Sequence, residues 1–293
     1  MTLQWFAGSQ HQPFAFDAGR DDSAVLLLHG FLGTPAELRP LAASLVGVGV
    51  SSRAILLPGF GSDIANLGSV TRADWIAIAS DALTELRARF ERVSIVGYSM
   101  GGALALHLAA RMPVDRLVLI APLWKLLGGA PMLRALPLAK RVVRQIHPFG
   151  KADFSDPQVR QYFAGSMSGF DLDDPATQRA LREETTLPLR TVDELRRLSL
   201  DAGALARHVY APTLIIQGLQ DTTVFPRHTR ELVSRLPGRI AFHQIMAGHL
   251  LTLADQPGWT AVRDLVVPFV AFGCDADACA SSATDTLLSE RAS

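Results

Sequence analysis

Cysteine is almost absent from this chain. Its 293 residues hold two, Cys274 and Cys279, both close to the C-terminus. A disulfide framework for the fold is therefore excluded. The pair could form at most one local bridge, and two ligands fall short of a structural metal site. Net charge is absent as well, because 28 basic residues balance 28 acidic ones. No global field then points to nucleic acid or to an anionic membrane surface as a partner. No apolar run is long enough to span a bilayer. The opening stretch from Met1 to Gly8 has neither the basic nor the apolar region of a secretory leader. The expectation is a soluble, cytoplasmic protein. Its length suits one large domain, or one domain carrying a sizeable insertion.

What is present is a strand–helix alternation. Residues 3–22, with Trp5, Phe6, Phe14 and Phe16, read as one or two short edge strands. Ala24–Leu28 is a continuous apolar run, as expected of a strand covered on both faces. It leads into His29-Gly30-Phe31-Leu32-Gly33. Thr34-Pro35-Ala36-Glu37 then reads as a capping box opening a helix, with Pro40 delaying its regular part. Val50–Leu56 is the next strand, followed by the loop Pro58-Gly59-Phe60-Gly61-Ser62. Thr71-Arg72-Ala73-Asp74 caps a helix with Trp75, Ile78, Leu83 and Leu86 on an apolar face. Further strands are expected at Arg92–Val96, Arg116–Ile120, Thr213–Gln217 and Arg239–Ile245. Helices are expected around Thr229–Leu236 and at Trp259–Phe269. The pattern predicts an α/β fold with a mostly parallel central sheet flanked by helices. Residues 1–122 and 209–272 form its core. Residues 123–208 break the rhythm, hold several prolines and no clear strand, and read as an inserted helical cap. Residues 273–293 read as a disordered tail.

The chemistry centres on Gly97-Tyr98-Ser99-Met100-Gly101, between a β-branched apolar run and a stretch of good helix formers. Strand, Gly-x-Ser-x-Gly, helix is the arrangement of a nucleophile elbow. The turn is sharp enough to lift the serine hydroxyl clear of the sheet. Glycines flank it because a Cβ there would crowd the turn. A serine hydroxyl needs a base, and the base needs a carboxylate to orient it. In such folds they follow in the order Ser, Asp, His. Asp221 follows one core strand, and His249, in Ala247-Gly248-His249, follows the last. Both therefore fall at the carboxyl edge of the sheet, as Ser99 does. Asp193 and Asp201 are remote rivals inside the cap. His29 is expected to order the glycine loop and His107 to pack or face solvent. His11, His147, His208, His228 and His243 lack a comparable loop position. The oxyanion of a tetrahedral intermediate needs two N–H donors. The backbone amides of Met100 and Phe31 are the candidates.

These residues resemble the α/β-hydrolase superfamily, and within it the microbial carboxylesterase and monoacylglycerol lipase group. The resemblance is carried by Leu27–Gly33, Gly97–Gly102, Ala211–Gly218 with Asp221, and Gly248-His249. It implies hydrolysis of short- to medium-chain acyl esters or monoglycerides without a cofactor, under a small cap over an apolar acyl pocket. One departure is Phe60, which stands where such proteins usually carry histidine in Pro-Gly-His-Gly; a local effect is expected. In the cap, Trp124, Leu126, Leu127, Met132, Leu133, Leu136 and Leu138 read as an apolar wall beside the site. Trp124, Leu126 and Leu127 are the candidates for lining the pocket. Arg134, Lys140, Arg141 and Arg144 among them read as a solvated basic face. Carbon–carbon bond hydrolases, thioesterases and acyltransferases share the scaffold and triad, so they stay open, as does a non-catalytic ligand-binding protein. The expected partner is a small-molecule ester, with no metal; the oligomeric state is open.

Overall fold

The computed structural model describes residues 8–20, 22–126, 136–140, 142–157, 159, 160, 163 and 171–272. Nine strands are described: β1 (Phe14–Phe16), β2 (Ser23–Leu28), β3 (Ser51–Ala54), β4 (Arg92–Tyr98), β5 (Leu117–Ile120), β6 (Gln145–Ile146), β7 (Leu187–Pro188), β8 (Thr213–Gly218) and β9 (Ile240–Ile245). Seven make one sheet in the order β1-β3-β2-β4-β5-β8-β9. Its only antiparallel pair is β1 with β3; the rest are parallel. The α-helices are α1 (Arg39–Val46), α2 (Arg72–Arg89), α3 (Met100–Ala109), α4 (Leu136–Ala139), α5 (Pro175–Glu183), α6 (Leu189–Leu205), α7 (Pro226–Val233) and α8 (Trp259–Phe272).

Both faces of the sheet are covered, which explains the unbroken apolar runs. In β2, Ala24, Leu26 and Leu28 join one core with α2 and α3, while Val25 and Leu27 join the other with α1 and α8. Helix α3 is buried from Met100 to Leu108, as a helix apolar on all sides must be. Its outer side is covered by α6 through Leu195, Leu198 and Ala202. The last helix of the inserted segment therefore shares the core's apolar interior. The rest of the insertion has a small cluster of its own, Phe154, Phe163, Leu172 and Leu181, against which Leu32 packs.

Three local expectations are corrected. Thr34 does not cap its helix; its hydroxyl bonds to His11 Nδ1 at 2.8 Å, and Glu37 turns away to the backbone of Gly30. A 3-10 turn, Pro35–Leu38, intervenes before α1 begins, consistent with the delay expected from Pro40. Ile78 is exposed; Ala79 and Ala82 complete the buried face of α2 with Trp75, Leu83 and Leu86. The insertion does hold strand, the two-residue ladder β6–β7. At Thr71 the expected box forms, the Asp74 carboxylate accepting the Thr71 N–H at 2.8 Å. Cys274, Cys279 and residues 273–293 lie outside the described residues.

Candidate active site

Strand β4 ends at Tyr98 and α3 begins at Met100, leaving Ser99 alone in the turn with φ +53° and ψ −113°. Few non-glycine residues occupy such a conformation, and it persists only where the surroundings over-determine it. Here they do. A Cβ on Gly97 would lie 2.3 Å from the Gly101 carbonyl oxygen, and one on Gly101 would lie 2.0 Å from that of Leu28. Backbone therefore meets backbone where the notional side chains would be. Ser99 N–H donates to Ile120 O at 2.9 Å, and Ser99 O accepts from Gly102 and Leu123 at 3.0 and 2.9 Å. The side chain is then directed at the loop after β9.

His249 sits in that loop. Its Nε2 is 3.1 Å from Ser99 Oγ and its Nδ1 is 2.7 Å from Asp221 Oδ2. Asp221, three residues past the end of β8, is buried and fully engaged. Its Oδ1 accepts from the N–H groups of Thr223 and Val224, both at 2.8 Å, and its Oδ2 also accepts from Gln217 Nε2 at 3.0 Å. Gln217, the penultimate residue of β8, also donates to Val224 O and accepts from the Thr229 hydroxyl. It ties the Asp221 loop to α7. Tyr98 braces the imidazole: its hydroxyl donates to His249 O at 3.1 Å, and its ring lies 5.3 Å from the imidazole ring. Gln217 and Tyr98 escape a sequence reading because their partners are set by tertiary contact. The one signal for Gln217 is a polar residue following directly on the apolar run Leu214–Ile216.

The loop His29–Gly33 lies alongside. The imidazole of His29 is fully buried and bridges two segments. Nδ1 donates to Gly30 O at 2.8 Å, and Nε2 accepts from Leu57 N–H at 3.1 Å. Burial pushes its pKa down to about 4, so the ring is neutral at neutral pH. It orders the loop, as expected. Phe60 fills the place of the usual histidine. Fully buried, it packs edge-on to His29 and Phe31 at 5.4 and 5.7 Å, and against Trp75 at 5.8 Å. The substitution makes an apolar brace under the loop. Among the described residues, neither the Phe31 N–H nor the Met100 N–H has an acceptor. Both candidate donors are thus left open.

The rivals are accounted for otherwise. His107 is buried on α3 between Leu198 O and Arg111, with its pKa pushed down to about 4 by burial. Asp193 is a buried hub for Lys140, Arg196 and Arg197, and Asp201 pairs with Arg72. Lys140 is therefore an ion-pair partner instead of part of a free basic face. Trp124 is buried, its indole N–H donating to His228 O at 2.8 Å and its ring seated on Gly203 of α6. Leu126 is half-buried between the main core and the Leu136–Leu189 contact. Leu127, Met132, Leu133, Arg134 and Arg141 lie outside the described residues, as does the side chain of Leu138. A cleft lined by Gln220, Thr222, Thr223, Gly248, His249 and Leu250 opens beside the imidazole. Among the described residues, no group of three or more His, Cys, Asp or Glu could hold a metal ion, and no helix is long and apolar enough to cross a membrane.

Residues 25–263 match the model of the alpha/beta hydrolase family. The chain belongs to that family. The expected resemblance is borne out within it. This hydrolase is 27% identical over 226 residues to a thermostable monoacylglycerol lipase of Bacillus sp. (strain H-257), covering 77% of this chain and 80% of that protein. It is 26% identical over 260 residues to a carboxylesterase of Bacillus subtilis (strain 168), covering 87% and 92%. Among solved structures, one of the metagenome-derived lipolytic enzymes LipS and LipT superposes with a TM-score of 0.71 at 21% identity, covering 89% of this chain and 98% of that one. The structural likeness supports the expected α/β-hydrolase fold.

Proposed function

We propose that this α/β hydrolase is a serine esterase cleaving short- to medium-chain acyl esters or monoglycerides through Ser99, His249 and Asp221. One observation carries the reading: an unbroken hydrogen-bonded chain, 3.1 Å from Ser99 Oγ to His249 Nε2 and 2.7 Å from His249 Nδ1 to Asp221 Oδ2, ends on a serine in a strained turn. The lipase and carboxylesterase named above support the choice of substrate class.

In this mechanism Ser99 Oγ attacks the ester carbonyl carbon while His249 Nε2 takes its proton. Asp221 holds the other ring nitrogen as an N–H and stabilises the imidazolium. The carbonyl oxygen becomes an oxyanion facing the Phe31 and Met100 N–H groups, the latter at the positive end of α3. His249 then protonates the departing alcohol as the tetrahedral carbon collapses to an acyl-enzyme. Water, deprotonated by the same imidazole, releases the acid and restores Ser99. No cofactor takes part in these steps.

The test is Ser99→Ala assayed on p-nitrophenyl esters of increasing chain length, with fluorophosphonate labelling in parallel. The expected result is loss of labelling and a fall in kcat of at least about 10³-fold. Ester hydrolysis at the wild-type rate in that variant would overturn the assignment. Acyl thioesters and vinylogous diketones in the same panel test the alternative bond types. The esterase reading expects esters to be the better substrates.

A further inference from the structure

Glu37 is a buried acid that ion pairing does not explain. Among the described residues no lysine or arginine pairs with it, and burial drives its pKa up to about 7. An unpaired buried acid lowers stability. Its position says what it does instead. Oε2 accepts the Gly30 N–H at 3.0 Å. A Cβ on Gly33 would lie 2.2 Å from the same oxygen, so the carboxyl group lies directly against the Gly33 α-carbon. Gly30 O accepts from Gly33 N–H at 3.2 Å, closing the turn Gly30-Phe31-Leu32-Gly33 around the acid. A Cβ on Gly30 would meet the Tyr98 ring at 3.3 Å and Glu37 Oε2 at 3.5 Å, so that residue is gripped from two sides. The turn is strained: Leu32 has φ +57°, which a branched side chain adopts only when held there. Glu37 also gives up the capping contact with Thr34 that its place in the sequence offers it.

We propose that Glu37 is a positioning residue for the oxyanion donor: seated inside the Gly30–Gly33 turn, it fixes the direction of the Phe31 N–H. This rests on the esterase reading above. Glu37 touches no reacting atom. It acts through the loop backbone, so its loss lowers transition-state stabilisation and leaves ground-state binding intact.

The experiment compares Glu37→Leu, Glu37→Gln and Glu37→Asp with wild type and Ser99→Ala, all as full chains. It reads kcat and KM on p-nitrophenyl butyrate, inhibition by a trifluoromethyl ketone, and thermal unfolding. The ketone captures Ser99 as a hemiketal alkoxide and so reports on the oxyanion donors. Glu37→Leu is expected to lower kcat about 30-fold with KM changed less than about threefold, and to weaken the ketone by a similar factor. Glu37→Gln, whose amide oxygen can still accept the Gly30 N–H, should recover kcat to within about threefold of wild type. If Glu37→Leu does not fold, Glu37→Asp carries the test: its oxygen is withdrawn by one methylene, and kcat should fall about tenfold at constant KM. A folded Leu or Asp variant with wild-type kcat and ketone affinity overturns the proposal. So does a loss confined to melting temperature or KM. Ser99→Ala separates the two readings. If it is inactive while Glu37→Leu is unimpaired, only the role of Glu37 falls. If it stays active, the esterase reading falls with it.

Discussion

The Asp221 carboxylate has four hydrogen-bonding partners, counting His249, and two of them are main-chain amides. Replacing it by asparagine keeps its shape but puts an N–H where an acceptor is needed, so the imidazole flips its tautomer or loses its partner. Asp221→Asn is expected to lower kcat by about 10³–10⁴-fold and, because Gln217 Nε2 then faces a donor instead of an acceptor, to lower the melting temperature as well, checked by steady-state kinetics and calorimetry. Tyr98→Phe removes one neutral hydrogen bond to the His249 carbonyl and leaves the ring in place. It should cost about 1 kcal/mol of stability and a few-fold in kcat, read by urea unfolding and the same assay. The meeting of Ser99, Asp221 and His249 was legible in the sequence because each directly follows, or nearly follows, an apolar strand. Tyr98, Gln217 and Glu37 were not. Tyr98 looks like a filler position in a motif, and Glu37 looks like a helix cap. Nothing local reveals that the Thr34 hydroxyl is occupied by His11, or that the glutamate is thereby left to the neighbouring turn.

At the level of elements, the strands could be read because seven of them fill one sheet, and the five inner ones, β3, β2, β4, β5 and β8, are largely buried. Helix α6 was harder. It follows a proline-rich stretch and its sequence is mixed, so it reads as cap, yet its Leu195–Leu198–Ala202 face lies on α3 in the main core. Gly203 shows how close the contact is, since a Cβ there would come within 2.6 Å of the Trp124 ring. Helix interiors usually prefer alanine to glycine, and here that preference should be reversed. Gly203→Ala is expected to destabilise the fold by about 1–3 kcal/mol through overpacking, measured as a lowered urea midpoint at unchanged m-value. The same substitution would move the indole that donates to His228 O, so α7 should lose amide protection in hydrogen exchange.

For the whole molecule, buried histidines and one buried acid shape the response to mild acid. His29 and His107, ordinarily near 6.5, are held at about 4, and Glu37, ordinarily near 4.5, is held at about 7. Between pH 4.5 and 6.5 the unfolded chain gains the two histidine protons that the folded chain refuses, so their contribution to stability is lost as pH falls. Glu37 acts in the opposite sense: its contribution is present below 4.5 and is lost as pH rises through 7. Two groups outweigh one, and burial also lowers the pKa of His11 and His228. Stability should therefore decline from pH 6.5 to pH 5, and more steeply in Glu37→Gln, where the opposing proton is gone. Urea titrations at several pH values would check both slopes. A last consequence follows from the spacing of the two hydrogen-bonded side chains, 150 positions apart along the chain. During synthesis Ser99 leaves the ribosome long before His249 has been made. The hydrogen bond between them, and with it the nucleophilic role proposed for the serine, therefore arises only once the final strand docks at the rim.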